Sequence, residues 1–246
     1  MNRIIFLIAL ATLAISCSAD SDSTTFNDQG TGQGGSLARF IIVEDYLYTV
    51  DEESLHVFDI HQAEAPVKVN SQYIGFGIET IYSFENTLFL GSQLGMYIYG
   101  LDDPTSPQLL SEANHLRSCD PVVSNYNYTF VSLHTNATCQ GQLNQLEVYE
   151  TSDLTHPVLL GTMPFERPIG MGIYQDYLIL SDLDKIRFLD ITNPRSIHVV
   201  YQITADTYDV IVRGHQLFAI GPEEIIQFDL DPAQISNTTM ISRLTY

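Results

Sequence analysis

A chain of 246 residues is long enough for one domain with a sizeable core and, on length alone, for two small ones. Thirty acidic residues against ten basic ones give a formal charge of −20, a field that repels phosphate backbones and anionic membrane surfaces and so argues against nucleic acid as a partner. Fourteen Tyr, twelve Phe and a hydrophobic content of 45% suit half-buried strands rather than disorder, and the acidic surplus reads first as solubility and second as a preference for cationic ligands.

At the N-terminus, Asn2 and Arg3 precede an apolar run from Ile4 to Ile15. Twelve residues match the hydrophobic region of a signal peptide and fall short of a bilayer span, so residues 1–16 read as a signal peptide. The run ends in Leu13, Ala14, Ile15, Ser16 and Cys17, which resembles the lipobox of bacterial lipoproteins and implies lipid attachment to the Cys17 thiol. Ordinary cleavage leaving a free Cys17 is the alternative. Residues 17–36 are polar, acidic and Gly-rich and read as a flexible tether. Asp20 and Asp22 in it resemble the acidic export signal of Bacteroidetes surface lipoproteins. Gly30, Gly32 and Gly35 formally match a dinucleotide fingerprint, but no strand precedes them and no helix follows, so no helix N-terminus would face a pyrophosphate.

From residue 39 onward the chain repeats itself, and residues 37–246 read as one domain. Five passages, RFIIVEDYLYTV, TIYSFENTLFLG, PVVSNYNYTFVSL, GMGIYQDYLILSD and VIVRGHQLFAIG, each carry an apolar segment, a turn and an alternating strand, the pattern of a hairpin. A third strand follows each: LHVFDI, MYIYGL, LEVYET, IRFLDI and IIQFDL. Its fifth position, held by Asp59, Gly100, Glu150, Asp190 and Asp229, recurs at intervals of 41, 50, 40 and 39 residues. A unit of about 40 residues suits a four-stranded propeller blade, and the long interval holds an insertion over 133–145. A polar turn then leads to a fourth apolar strand that begins at Pro66, Pro107 or Pro157 in three copies. Proline lacks the donor a central strand needs, so this strand is expected at the outer edge of each blade and the first strand innermost. The fold class expected is all-β, a propeller of five four-stranded blades. A sandwich would need unequal strand spacing.

The cadence of the third strand and its turn, best seen at Asp102, Asp103, Pro104 and Pro107, resembles the LVIVD repeat of bacterial extracytoplasmic β-propellers. That resemblance covers about 39–246 and implies a fold and a compartment. It carries no common activity and hence no catalytic residue.

Cys119 and Cys139 both fall in the third unit. In an exported chain they are expected to pair, and closing a loop of about 20 residues contributes roughly 3 kcal/mol in the chain-entropy model. A redox pair lacks both C-x-x-C spacing and a neighbouring Lys or His. The seven His show no zinc spacing, no nucleophile elbow, Walker A or EF-hand loop occurs, and no cofactor or metal is implied. Glu79, Asp120 and Asp209 recur just before the innermost strand, so a closed ring gathers them near one mouth of the channel. There they read either as a cation or ligand site or as carboxylates accepting backbone N–H bonds between blades. Asp59, Asp190 and Asp229 read as turn caps.

The function expected is a non-catalytic binding or protein-interaction module, held at the membrane by a lipid on Cys17 in the cell envelope as an outer-membrane lipoprotein, with a protein or glycan as ligand. The alternative is an extracytoplasmic propeller hydrolase or lyase acting on glycans with channel-mouth carboxylates. Two convergent carboxylates of raised pKa in a deep polar pocket would favour the enzyme.

Overall fold

A computed structural model describes residues 34–115, 118, 120–135 and 143–246. It shows five four-stranded antiparallel sheets arranged as the blades of a propeller. The first comprises β1 (Phe40–Val43), β2 (Tyr46–Val50), β3 (Ser54–Asp59) and β4 (Val67–Tyr73); the second, β5 (Ile78–Phe84), β6 (Thr87–Ser92), β7 (Gly95–Gly100) and β8 (Gln108–Asn114). The third comprises β9 (Val122–Ser124), β10 (Tyr128–Leu133), β11 (Gln145–Glu150) and β12 (Val158–Pro164). The fourth comprises β13 (Pro168–Tyr174), β14 (Tyr177–Asp182), β15 (Lys185–Asp190) and β16 (His198–Thr204), and the fifth β17 (Asp209–Arg213), β18 (Gln216–Ile220), β19 (Glu224–Asp229) and β20 (Thr239–Thr245). Each sheet is a simple meander, so the five hairpin passages and the five third strands fall where their alternation puts them. Cys17 lies outside the described residues, as do Cys119 and Cys139.

Local chemistry repeats from blade to blade. Between the first two strands the leading turn residue takes positive φ at Glu44 (51°), Glu85 (48°), Gln175 (51°) and Gly214 (58°), the conformation that matches a tight turn to the twist of its strands. The residue after the third strand donates its N–H back to that turn: Ile60 to Asp45, Leu101 to Asn86, Thr151 to Asn127, Ile191 to Asp176 and Leu230 to His215. A register shift recurs between the third and fourth strands, at Val57/Phe58, Ile98/Tyr99, Val148/Tyr149, Phe188/Leu189 and Gln227/Phe228. Such bulges bend and twist the outer strand. Asp59 and Asp190 do cap turns, accepting from the His61 and Thr192 amides. Pro66, Pro107 and Pro157 sit one residue before outer strands that are mostly exposed.

Both faces of a central blade are apolar, and the core is the stack of faces between blades. Tyr48, Leu55 and Val57 of the first blade pack with Ile81, Leu88 and Leu90 of the second. Phe89, Met96 and Ile98 of the second pack with Val122, Val131 and Tyr149 of the third. Phe130, Leu146 and Val148 meet Leu178, Leu180 and Leu189, and Ile179, Ile186 and Phe188 meet Val210, Leu217 and Phe228. Outer strands add polar ties across two of these seams: Asn70 and Gln72 donate to the Thr105 and Pro107 carbonyls, and Ser111 to that of Leu154.

The fifth seam, between the last blade and the first, is built differently. No apolar cluster among the described residues combines these two blades. Leu88, Leu178 and Leu217 are buried, yet Leu47 at the same repeat position is half-buried. Phe89, Phe130 and Ile179 are buried, whereas Phe218 at the matching place is half-buried. Leu101, Thr151, Ile191 and Leu230 are buried where Ile60 is not, and Phe40 stands 62% exposed. What crosses this region is a strap over 34–38. Ser36 is buried and accepts from the Met171 amide at 2.7 Å, Gly35 lies against the Asp209 carboxyl, and the Ala38 carbonyl accepts from Ile81. The end of the Gly-rich segment thus packs against the innermost strands of the fourth and fifth blades.

Two glycines separate crowding from backbone strain. A Cβ on Gly91 would overlap the Asp120 carbonyl and Thr80 Oγ1, while one on Gly214 meets open space but a φ of +58°. Gly91→Ala is expected to cost more than about 2 kcal/mol in urea unfolding through overpacking, and Gly214→Ala about 1 kcal/mol through the left-handed conformation alone. Equal costs would contradict the assignment.

Candidate binding cavity

The three carboxylates expected to gather at one mouth lie at the starts of innermost strands, as their repeat position requires, but each is held by its own neighbours. Asp120, fully buried, accepts at Oδ2 from the Ser92 amide (2.8 Å) and lies 3.0 Å from His115 Nε2, while its carbonyl accepts from Thr80 Oγ1. Its Oδ1 has no hydrogen-bond partner. Burial pushes its pKa up to about 8 against the pull of His115 and the Ser92 amide, with Glu79 adding to the rise. Glu79 accepts from Gln93 Nε2 at 3.0 Å and is raised by burial, offset by Gln93 and Arg39. Asp209 is wedged between Gly35 and Gly170, where a Cβ on either would overlap it. Burial raises it to about 7, offset only by the Val210 amide at 2.9 Å. Asp120 and Asp209 share no partner, and no group of three His, Cys, Asp or Glu among the described residues is placed to hold a metal ion.

Open space lies at the opposite, hairpin end. A cavity of about 840 Å³ is bounded by the far halves of innermost strands (Ile41, Val43, Tyr82, Phe84, Ser124, Ile173) and by Gly34 of the strap. It reaches the seam between the first two blades, where the buried Tyr48 donates its hydroxyl to the Pro104 carbonyl at 2.8 Å. Burial raises the Tyr82 hydroxyl to about 12, so it stays a neutral donor at any ordinary pH. At the rim stand Glu44, Glu85 and Asp102, with Asn86 donating to Asp102 at 3.2 Å. No Lys, Arg or His lines the cavity. An aromatic and aliphatic interior under a rim of carboxylates suits a cation carried on an apolar stem.

None of the rim residues stood out in the sequence as a site; Asp102 stood out only as part of the repeat cadence. Glu44 and Glu85 are the leading residues of tight turns, a position that many polar residues fill. Their role depends on those turns opening onto one cavity.

No family model and no curated protein matches the sequence. Solved structures do match the fold. A protein of unknown function from Desulfotomaculum acetoxidans superposes with a TM-score of 0.68 at 10% identity, over 88% of this chain and 69% of its own. A Lactobacillus plantarum protein gives 0.65 at 12% identity, over 83% and 67%. The periplasmic gluconolactonase of Pseudomonas aeruginosa gives 0.62 at 9% identity, over 84% and 67%. At such identities the likeness is one of architecture.

Asp209 makes stability depend on pH. Its pKa rises from 3.8 unfolded to about 7 folded, so between those values the native state binds more protons and stability falls as pH climbs, levelling above about 7. This contribution is at most about 4 kcal/mol. Asp209→Asn keeps an acceptor for Val210 and is expected to lose part of that slope, so that urea unfolding at pH 5 and pH 8 shows the variant gaining on the parent at the higher pH. Parallel profiles would contradict it.

Proposed function

We propose that this chain is a non-catalytic binding module of the cell envelope, lipid-anchored through Cys17, that takes an amine- or guanidinium-bearing group into the hairpin-end cavity. The observation that carries this reading is the cavity's composition: Tyr82 and Phe84 inside, Glu44, Glu85 and Asp102 at the rim, and no basic side chain lining it. A cation entering such a cavity meets ring faces and carboxylates and no fixed positive charge. The two aspartates of raised pKa, which an acid–base mechanism would want beside the substrate, do not line it. The signal-peptide pattern ending at Cys17 supports the anchor and the compartment, and the negative charge suits a partner that presents Lys or Arg side chains.

Calorimetry with phenethylamine against its uncharged counterpart 2-phenylethanol tests the ligand class. Phenethylamine is expected to bind, the alcohol about tenfold more weakly or worse, and the combined Glu85→Gln and Asp102→Asn variant to lose the difference. Equal affinity for the two compounds, or binding of neither, would overturn the reading. Cys17→Ser is expected to move the chain from the detergent phase to the aqueous phase in a Triton X-114 partition, and unchanged partition would contradict the anchor.

A further inference from the structure

The carboxylates and the rings of the hairpin-end cavity stand in different places. Glu44 and Glu85 lead hairpin turns and Asp102 follows the third strand of the second blade, so all three are exposed and stay at the rim. Inside, the side chains are hydrocarbon or ring, from Ile41, Val43, Tyr82, Phe84 and Ile173. A cation that enters therefore leaves the carboxylates behind it and meets carbon.

Two of the polar side chains that line the cavity are committed to the third blade. Asn125 Oδ1 accepts from the Asn127 and Tyr128 amides at 3.1 and 2.9 Å, and Ser124 Oγ is bonded to Thr129 Oγ1 at 2.9 Å. The innermost strands pair on one side only, and a free strand edge offers N–H and C=O groups alike, so it favours neither sign of charge. What remains inside for the three N–H donors of a primary ammonium are hydroxyls such as those of Ser83 and Tyr82. A strongly hydrated ammonium loses more water there than these groups replace.

Beside the rim, Phe84 and Tyr126 stand 4.9 Å apart with their planes at 89°. Tyr126 follows Asn125 in the hairpin turn of the third blade and is 73% exposed. Rings at right angles turn their negative faces in two directions. An N-methylated ammonium has no N–H to satisfy and spreads its charge over methyl groups, which pack on such faces. We propose that the cation this cavity selects is a quaternary ammonium group, seated against Phe84 and Tyr126 with Glu85 and Asp102 balancing its charge from the rim. The inference rests on the reading that the cavity takes a cation and adds which cation it is. Tyr126 is then the specificity residue, since it supplies ring surface that no inter-blade apolar cluster uses.

Calorimetry with phenethyltrimethylammonium beside phenethylamine and 2-phenylethanol tests this. The trimethyl compound is expected to bind at least about tenfold more tightly than phenethylamine, and Tyr126→Ala to bring the two within about threefold while its circular dichroism is kept. Tyr126→Phe keeps the ring and is expected to keep the preference. If phenethylamine outbinds the alcohol and the trimethyl compound gains nothing over it, the quaternary inference is overturned and the cation reading stands. If neither cation outbinds the alcohol, both fall. A preference undiminished in Tyr126→Ala would overturn the assigned seat. Equal affinity for choline and 3,3-dimethylbutan-1-ol, its uncharged carbon counterpart, would assign the gain to methyl area and overturn the inference as well.

Discussion

Every blade here is a small sheet whose alternating strands place apolar side chains on both faces, and such a sheet is stabilised by the sheets that cover it. That requirement orders the rest of the molecule. Phe89 can be large because Val131 and Tyr149 lie opposite it, and Phe188 because Val210 and Phe228 do. The recurring bulge and the recurring amide bond from the third strand to the hairpin turn fix how far each sheet is twisted, which lets successive faces meet along their length. Where the stack ends, at the first and fifth blades, the same side chains stand half-buried.

The channel follows from the same packing and has two chemically distinct ends. At the ends where the innermost strands begin, carboxylates are consumed by structure: Asp120 holds the Ser92 amide and His115, and Asp209 fills the space between Gly35 and Gly170. Their raised pKa values come from burial. At the hairpin end the strands stop short of filling the axis, and the cavity between Tyr82, Ile41 and Ile173 is bounded also by Gly34 of the strap. Polar groups near the axis thus serve stability at one end and face open space at the other.

Much of this architecture was legible in the sequence because it is written locally and five times over. Period-two alternation located the strands, turn residues located the hairpins, and Pro66, Pro107 and Pro157 marked the outer edge. The seam was not legible, since Leu47 and Leu88 are the same residue at the same repeat position and differ only in whether a neighbouring sheet is present. The contacts of Gly35 were not legible for a related reason. Gly35 belongs to a Gly-rich stretch that reads as a tether, yet its lack of a side chain is what admits the Asp209 carboxyl. The cavity depends on turns from different blades opening onto one space, which no single repeat encodes.

Stability is distributed by face burial: among the described residues the three middle blades share an apolar cluster with a neighbour on both faces, and the first and fifth on one. Hydrogen exchange followed by mass spectrometry measures this blade by blade. The account predicts strongest amide protection in β6, β10 and β14 and faster, sub-global exchange in β2 and β18. Equal protection of all five second strands would contradict it.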